Sequence, residues 1–529
     1  MVQAQVLTQA EPKRSDRFLS NVLWNWSHVA LSLFSALILS RYIIRKLGPE
    51  GYGLWQLSYS LIGYYGLLDL GFRSAVVFYA AQYRAREEFD ALNELISTLL
   101  VYFSAIAAVL IAVSVLLASS AYHFFPVSPA YRDAFEKLVL IIGISIASGI
   151  VFNVFSGLVE GFQRFDLANQ IRMVSFIVRY FGCALLLFLG YGLVAMGVIA
   201  LASQILLNVL YIIVSRQIFP GLRFSFRLVR KRAWNHTAVY GVHTFVASVA
   251  NTTLEQSPSL VIGHLHGGAD VGYYNLPLRI LTYAADAVSR VGIVVAAQAA
   301  ELTAKGRLDI LAKLGIYANR YCFVLYMPLV LMVLVYGHEL INLWVGQNYV
   351  VHSAALLPIL LIGAALGMAG QFSSSTILFG MGKHRGYSHA LMAEAVANVL
   401  GMILVIPRFG LVGAAWVASL LMVLVRGGIT PWLVCRQLQY SVAAYFQQIF
   451  MRPVLTGLPV LVLIWFCKVR LWPGNTWWQL IAAAGVTVLT YWGSAYFTCL
   501  EPEHRALIWN WVARRVARMR AVPLSETSG

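Results

Sequence analysis

The chain has 529 residues, 60% of them hydrophobic and only 12% charged. Few water-soluble folds keep that much apolar surface from solvent, so the composition excludes a soluble domain and places the chain in a membrane. The formal net charge of +17 at pH 7 would suit nucleic acid, but the basic residues sort by loop instead, which excludes that partner.

Residues 1–17 are polar, with Lys13, Arg14 and Arg17 ahead of the first apolar run and no small-residue cleavage site after it. They read as a cytoplasmic tail before an uncleaved anchor. About fourteen stretches then reach the roughly 20 apolar residues that a spanning helix needs. Six begin near Phe18, Tyr52, Glu94, Phe135, Ala168 and Leu193, giving an N-lobe over 18–216. A basic amphipathic linker covers 217–237, where Phe224, Phe226, Leu228, Val229 and Trp234 interleave with Arg223, Arg227, Arg230, Lys231 and Arg232. That pattern suits a segment lying flat on the cytoplasmic leaflet. Six more spans begin near Ala238, Gly272, Ile310, His352, Tyr387 and Leu411, a C-lobe over 238–437, and two follow over 438–500, near Pro453 and Trp477. In 501–529, Ile508, Val512, Val516 and Met519 share one helical face and Arg514, Arg515 and Arg518 another, as in a basic interfacial helix before a tail.

With the N-terminus inside, alternate loops hold Arg84 and Arg86, Arg164, the cluster from Arg216 to Arg232, Lys305, Arg307 and Lys313, Lys383 and Arg385, and Arg436 and Arg452. That side collects roughly two dozen Lys and Arg against about eight on the other, which predicts both termini in the cytoplasm. Arg41, Arg45 and Lys46 run against the pattern. Cys183, Cys322, Cys435, Cys467 and Cys499 are scattered singly through apolar segments, so they read as small buried hydrophobes. No P-loop, GxSxG, HExxH or metal-spaced cluster occurs, and no cofactor or enzyme is indicated. His264 and His266 read as isolated polar groups flanking a short outer loop.

The chain repeats itself at an offset of about 218 residues. Gly51-Tyr52-Gly53 recurs as Val271-Gly272-Tyr273, Tyr191-Gly192-Leu193-Val194 as Phe409-Gly410-Leu411-Val412, and Asp69-x-x-x-Arg73 as Asp286-x-x-x-Arg290. Six spans per copy return the chain to its starting side, so the halves run in the same direction about an axis along the membrane normal. The predicted fold is all-α: a polytopic membrane protein with two pseudo-symmetric six-helix bundles around a central cavity, plus two C-terminal helices.

Polar residues mark four corresponding spans. Asn21, Asn25, His28, Ser32 and Ser35 share a face of the first, and Ser58, Tyr65, Asp69 and Arg73 a face of the second. Ser248, Thr252, Glu255 and Ser259 do so in the seventh, and Arg279, Tyr283, Asp286 and Arg290 in the eighth. Ionisable groups are costly in hydrocarbon, so these faces point to a shared, water-filled path and to transport. The pairs Asp69 with Arg73 and Asp286 with Arg290 are also spaced to neutralise one another within a helix. Arg179 and Arg279 have no acidic residue one turn away in their own helices and mark an anion path. Glu255, and Glu394 with Asn398 one turn on, are carboxylates in apolar segments and candidates for carrying a coupling proton or ion.

Leu47-Gly48-Pro49-Glu50-Gly51-Tyr52-Gly53-Leu54 followed by Leu67-Leu68-Asp69-Leu70-Gly71-Phe72 resembles the start of bacterial polysaccharide (O-antigen type) flippases. These belong to the multidrug/oligosaccharidyl-lipid/polysaccharide exporter superfamily. Val271-Gly272-Tyr273-Tyr274, Gly380-Met381-Gly382-Lys383 and Gly410-Leu411-Val412-Gly413-Ala414-Ala415 extend the resemblance over roughly the first 440 residues. It implies two six-helix lobes in a V, spans one, two, seven and eight around the cavity, and alternating access that moves a polyprenyl-pyrophosphate-linked oligosaccharide from the inner to the outer leaflet of a bacterial cytoplasmic membrane. Partners implied are the lipid-linked oligosaccharide, membrane lipids and polysaccharide-assembly proteins. Many relatives carry an acidic-basic pair late in span seven, where this chain reads Ser257-Pro258-Ser259, and Glu255 is the nearest substitute.

The candidate cargo site is Arg73, Arg179, Arg279 and Arg290 with Asp69, Asp286, Asn25 and Tyr283, arginine being suited to bidentate phosphate binding. A peptidoglycan-precursor flippase shares the span count and the basic cavity. A drug/cation antiporter would want net negative charge there. A membrane glycosyltransferase or polymerase would want a loop domain larger than any in this chain.

Overall fold

A computed structural model describes the backbone of residues 12–69, 72–289, 291–506 and 509. Side chains are described for 38–68, 75–230, 245–282, 285, 288, 295, 298–506 and 509. Among the described residues the chain is helical and has no strand.

The first half holds α1 (Pro12–Gly63), a 3-10 turn (Tyr64–Asp69), α2 (Phe72–Ala85), α3 (Phe89–Phe124), α4 (Arg132–Gly161), α5 (Phe165–Phe188) and α6 (Leu193–Ile218). An extended strap with one short turn (Phe226–Leu228) leads to α7 (Lys231–His266), α8 (Gly268–Ser289), α9 (Val291–Ala304) and α10 (Leu308–Val345). Then follow α11 (Gln347–Ser353), α12 (Leu356–Gln371), α13 (Ser374–Gly380) and α14 (Arg385–Met422), which continues through a π-helical turn (Val423–Ile429) into α15 (Thr430–Leu438). The chain ends with α16 (Val442–Phe446), a second π turn (Gln447–Met451), α17 (Arg452–Arg470) and α18 (Trp477–Thr498).

Nine helical stretches among the described residues are long and apolar enough to cross a membrane. One of them, Arg385–Leu438, contains both the eleventh and the twelfth expected spans, on either side of a break at Gly410 (φ 56°).

The repeat is written into the backbone. Left-handed φ values fall at Gly48, Glu87 and Gln163 and again at Gly267, Gly306 and Gly382, each pair about 219 positions apart. Gly48 (φ 69°, ψ −179°) and Gly267 (φ 92°, ψ −177°) adopt the same conformation, one that L side chains avoid. Pro49 then restarts the helix where its missing N–H is no loss. The Gly48 break is held from outside: the Tyr131 hydroxyl donates to the Leu47 carbonyl (2.9 Å), and the Ser128 amide donates to Glu50 Oε1 (2.9 Å).

The chain divides into two compact units, 1–279 with 391–417 and 280–390 with 418–529. In the first, α4 is central and packs against α2, α3 and α6. Phe155, Val159, Ala168, Ile171 and Tyr211 form one of its buried clusters. In the second, α10 is central and carries α12, α17 and α18.

Two expectations are corrected. The second span is not one continuous helix, because the 3-10 turn Tyr64–Asp69 separates α1 from α2. The helix that carries Ser58 therefore ends before Asp69, and the next begins at Phe72, so the four positions Ser58, Tyr65, Asp69 and Arg73 do not belong to one continuous helix. Tyr65 is instead buried against α3, its hydroxyl 2.9 Å from Ser114 Oγ and 3.2 Å from the Leu110 carbonyl. Nor are the outer-loop histidines isolated: His266 Nδ1 lies 2.8 Å from Asp270 Oδ2, and His264 Nδ1 2.6 Å from the Phe124 carbonyl. The five cysteines are buried and unpaired, as expected. The helical face from Ile508 to Met519 lies outside the described residues.

Candidate functional site

After the Gly48 break, α1 runs through a stretch in which nearly every side chain is buried. Gln56 and Tyr59 are three residues apart and so share a face. Two arginines from distant helices meet this face. Arg279 of α8 donates from Nη2 to Gln56 Oε1 over 2.7 Å. Arg179 of α5 donates from Nη2 to the Tyr59 hydroxyl at 2.5 Å and places its guanidinium 5.3 Å from the centre of the same ring. Trp55 packs edge-on against Tyr59 at 5.0 Å. Both acceptors are neutral, so these two bonds orient the guanidinium groups. Gln56 and Tyr59 escaped the sequence reading, which followed the Ser58 face of the same helix.

The wall beside them is polar and tied together. Asn275 on α8 donates to Ser259 Oγ (3.0 Å) on α7 and to the Val271 carbonyl (2.9 Å). Tyr64 in the 3-10 turn hydrogen-bonds Thr253, and Gln256 packs on Gly63. Along the expected face of α7, Ser248 and Glu255 are exposed, Thr252 is half-buried and Ser259 is buried. The face is thus open along most of its length and closed at Ser259, where Asn275 seals it.

Of the expected site residues, the structure brings Arg179 and Arg279 to one stretch of α1. Glu255 is exposed on α7, and Glu394 is buried on α14, one turn from Asn398, whose Oδ1 has no hydrogen-bond partner among the described residues. The side chains of Asn25, Asp69, Arg73, Tyr283, Asp286 and Arg290 lie outside the described residues.

Other basic groups have different work. Arg172 on α5 pairs with Glu160 on α4 at 2.9 Å. Lys468 of α17 pairs with Glu339 of α10 at 2.7 Å. Arg320, 1% exposed in the middle of α10, donates to Glu501 Oε1 (2.7 Å), the Gln448 carbonyl (2.8 Å) and the Cys499 carbonyl (3.3 Å). These contacts fasten the last two long helices to the second unit. An arginine between Asn319 and Tyr321 in an apolar run was a visible signal, but its partners were not.

The profile of the family described as "Polysaccharide biosynthesis protein" matches residues 18–301, more than half of the chain. The protein belongs to that polysaccharide biosynthesis family. Within this family's matched segment fall both arginines and both of their partners on α1. A relative named "Putative O-antigen transporter", from Shigella flexneri, is 22% identical over 431 residues, covering 79% of this chain and 98% of its own. The fold of this family member is shared with a solved structure titled "Lipid II flippase MurJ, inward closed conformation", with TM-score 0.68 and 14% identity, over 92% of this chain and 100% of that one. It is also shared with an inward-facing multidrug resistance MATE family transporter of the MOP superfamily, with TM-score 0.68 and 12% identity, over 78% of this chain and 95% of that one. This is a multi-pass membrane protein with a transporter fold, and none of these three relatives is named as an enzyme.

Proposed function

We propose that the protein moves a polyprenyl-pyrophosphate-linked oligosaccharide from the cytoplasmic to the outer leaflet of a bacterial cytoplasmic membrane by alternating access, with both termini in the cytoplasm. The observation that carries this reading is the convergence of Arg179 and Arg279 on Gln56 and Tyr59. Arginine keeps its charge in an apolar segment and offers a planar fork to phosphate oxygens. An anchor on α1 holds a fork of each in place toward the cargo path. In this reading Arg73 and Arg290, with Asp69, Asp286, Asn25 and Tyr283, complete the polar path, and the lipid tail stays in the bilayer. Glu255, on the open face of α7, is the group we assign to ion or proton coupling, with the buried Glu394 as the second candidate.

The test is transport of a labelled polyprenyl-pyrophosphate oligosaccharide across vesicles containing the purified protein. Arg179→Ala and Arg279→Ala each slow it at least tenfold, the loss of one charge-assisted hydrogen bond to cargo. Wild-type rates in both would sink the proposal. A second reading, flipping of a peptidoglycan precursor, is favoured by the fold match over 92% of the chain to a protein titled a lipid II flippase. The same vesicles separate the two by which head group is moved. A cation antiporter is disfavoured by the two guanidinium groups, which repel a cationic drug.

A further inference from the structure

Between α6 and α7 the chain crosses the start of α3 as an extended strap, and its backbone polar groups are paired in an unusual way. Asn93 donates to the Gly221 carbonyl (3.0 Å) and accepts from the Arg223 amide (2.9 Å). Ser97 Oγ accepts from the Ser225 amide (3.3 Å) and donates to the Arg223 carbonyl (3.5 Å), and Thr98 Oγ1 accepts from the Arg230 amide (3.0 Å). Three buried side chains on one face of α3 thus read the strap as a neighbouring strand would. Backbone groups need such partners wherever water is scarce.

With its backbone held against α3, the strap turns its side chains outward. Phe224 and Phe226 are 53% and 75% exposed, two residues apart, and pack edge-on with ring centres 5.2 Å apart. Arg223, Arg227 and Arg230 are exposed beside them. None of the ion pairs among the described residues uses any of the three. Of the nearby acidic residues, Glu87, Glu88 and Asp90 are exposed before the pinned stretch and Glu94 lies half-buried within it, and none of the four forms an ion pair with the strap arginines among the described residues. At a rise of 1.5 Å per residue, Asn93 to Thr98 lie about 6 to 14 Å along α3 from Phe89. That helix has 36 residues, more than the bilayer core needs, so it has turns to spare outside the hydrocarbon. The ends of α4 and α6 meet here too, Phe219 packing against both Phe89 and Phe162.

We infer that this strap is a docking surface for anionic phospholipid: the phenyl pair wedges into the interface and the three arginines bind phosphate head groups. Aromatic rings beside cations that pair with no described acid suit the head-group boundary, and a solvated linker would have no need of a backbone tied to a helix at five points. The surface holds whichever cargo the protein carries.

The test uses the full chain in vesicles of mixed phosphatidylglycerol and phosphatidylcholine, with native mass spectrometry of the lipids that stay bound. Phosphatidylglycerol is enriched over its share of the bilayer. The triple variant Arg223→Gln, Arg227→Gln, Arg230→Gln loses on the order of fivefold of that enrichment per arginine, while the triple lysine variant keeps it. A spin label on Phe226→Cys, the native cysteines being buried, is reached more readily by oxygen than by a water-soluble nickel complex. Bound lipid in the bilayer's own proportions, enrichment that survives the glutamine variant, or a label reached mainly by nickel would each overturn the inference.

Discussion

Gly53 and Gly272 face each other backbone to backbone. A Cβ on Gly53 would stand 3.0 Å from the Gly272 amide nitrogen and 1.6 Å from the Gly268 carbonyl oxygen, and one on Gly272 would stand 2.8 Å from the Pro49 carbonyl oxygen. The two glycines are about 219 positions apart, and so are Pro49 and Gly268. Equivalent residues of the two copies thus meet reciprocally, as in an interface with twofold character. Small residues permit such approach between membrane helices.

Gly53→Ala must therefore push backbone, not a yielding side chain. It lowers stability by about 3 kcal/mol, the upper range for overpacking. Gly66→Ala, which meets nothing within 4 Å, serves as the control. Thermal unfolding in detergent reads both, and equal midpoints would contradict the contact.

The Arg320 network predicts an asymmetry between two arginines that share one carboxylate. Glu501 Oε1 accepts from Arg320 at 2.7 Å and from Arg452 at 3.0 Å, but Arg320 is 1% exposed and Arg452 48%. Glu501→Gln leaves the buried guanidinium without its counter-charge and destabilises by about 3 kcal/mol. Arg452→Gln, at the surface, changes stability by less than about 1 kcal/mol. Unfolding of the two variants side by side decides the point.

The same carboxylate predicts a pH dependence. The Arg320 hydrogen bond holds the Glu501 carboxyl below its ordinary value of 4.5, burial opposing, with the charges of Arg320 and Arg452 adding to the depression. A depressed carboxyl stabilises the fold fully above the unfolded value, and the contribution fades as pH falls through the folded one. The wild-type unfolding midpoint should drop below about pH 4.5. Glu501→Gln should show a flatter profile in that window.

Much of the architecture was legible because membrane helices announce themselves by length and apolarity, and because Gly and Tyr recur at a fixed offset; the backbone breaks at Gly48 and Gly267 came only with the structure. The break between α1 and α2 was not legible either, since Tyr64 to Asp69 keeps a spacing that fits a helical face equally well. The two arginines were legible as charges without a local acid. Their anchors were not: Gln56 and Tyr59 become partners only when α5 and α8 are brought to α1, more than a hundred residues away. Arg320 shows the converse, since a lone intramembrane arginine has the same appearance in sequence whether it grips cargo or fastens helices.

If Glu255 couples an ion or proton gradient to transport, its neutral isostere separates coupling from binding. Glu255→Gln should transport at the same rate with and without an imposed pH gradient, while the wild type is accelerated by one. An unchanged response to the gradient removes Glu255 from the mechanism and moves attention to Glu394.

Gln56→Leu tests whether holding an arginine matters apart from having it. The substitution removes the Gln56 acceptor of Arg279 but keeps the charge, so a cargo phosphate meets a guanidinium that has lost this hold on α1. A hydrogen bond to a charged group is worth about 1.5–3 kcal/mol, and tenfold in transport corresponds to about 1.4 kcal/mol. The expected result is a rise of about tenfold or more in the KM for lipid-linked sugar, with the unfolding midpoint close to wild type. Arg279→Lys should behave similarly, because the ammonium keeps the charge but lacks the fork. Should KM hold while the midpoint falls, Gln56 and Arg279 would be a packing contact between α1 and α8, and cargo binding would rest on Arg179.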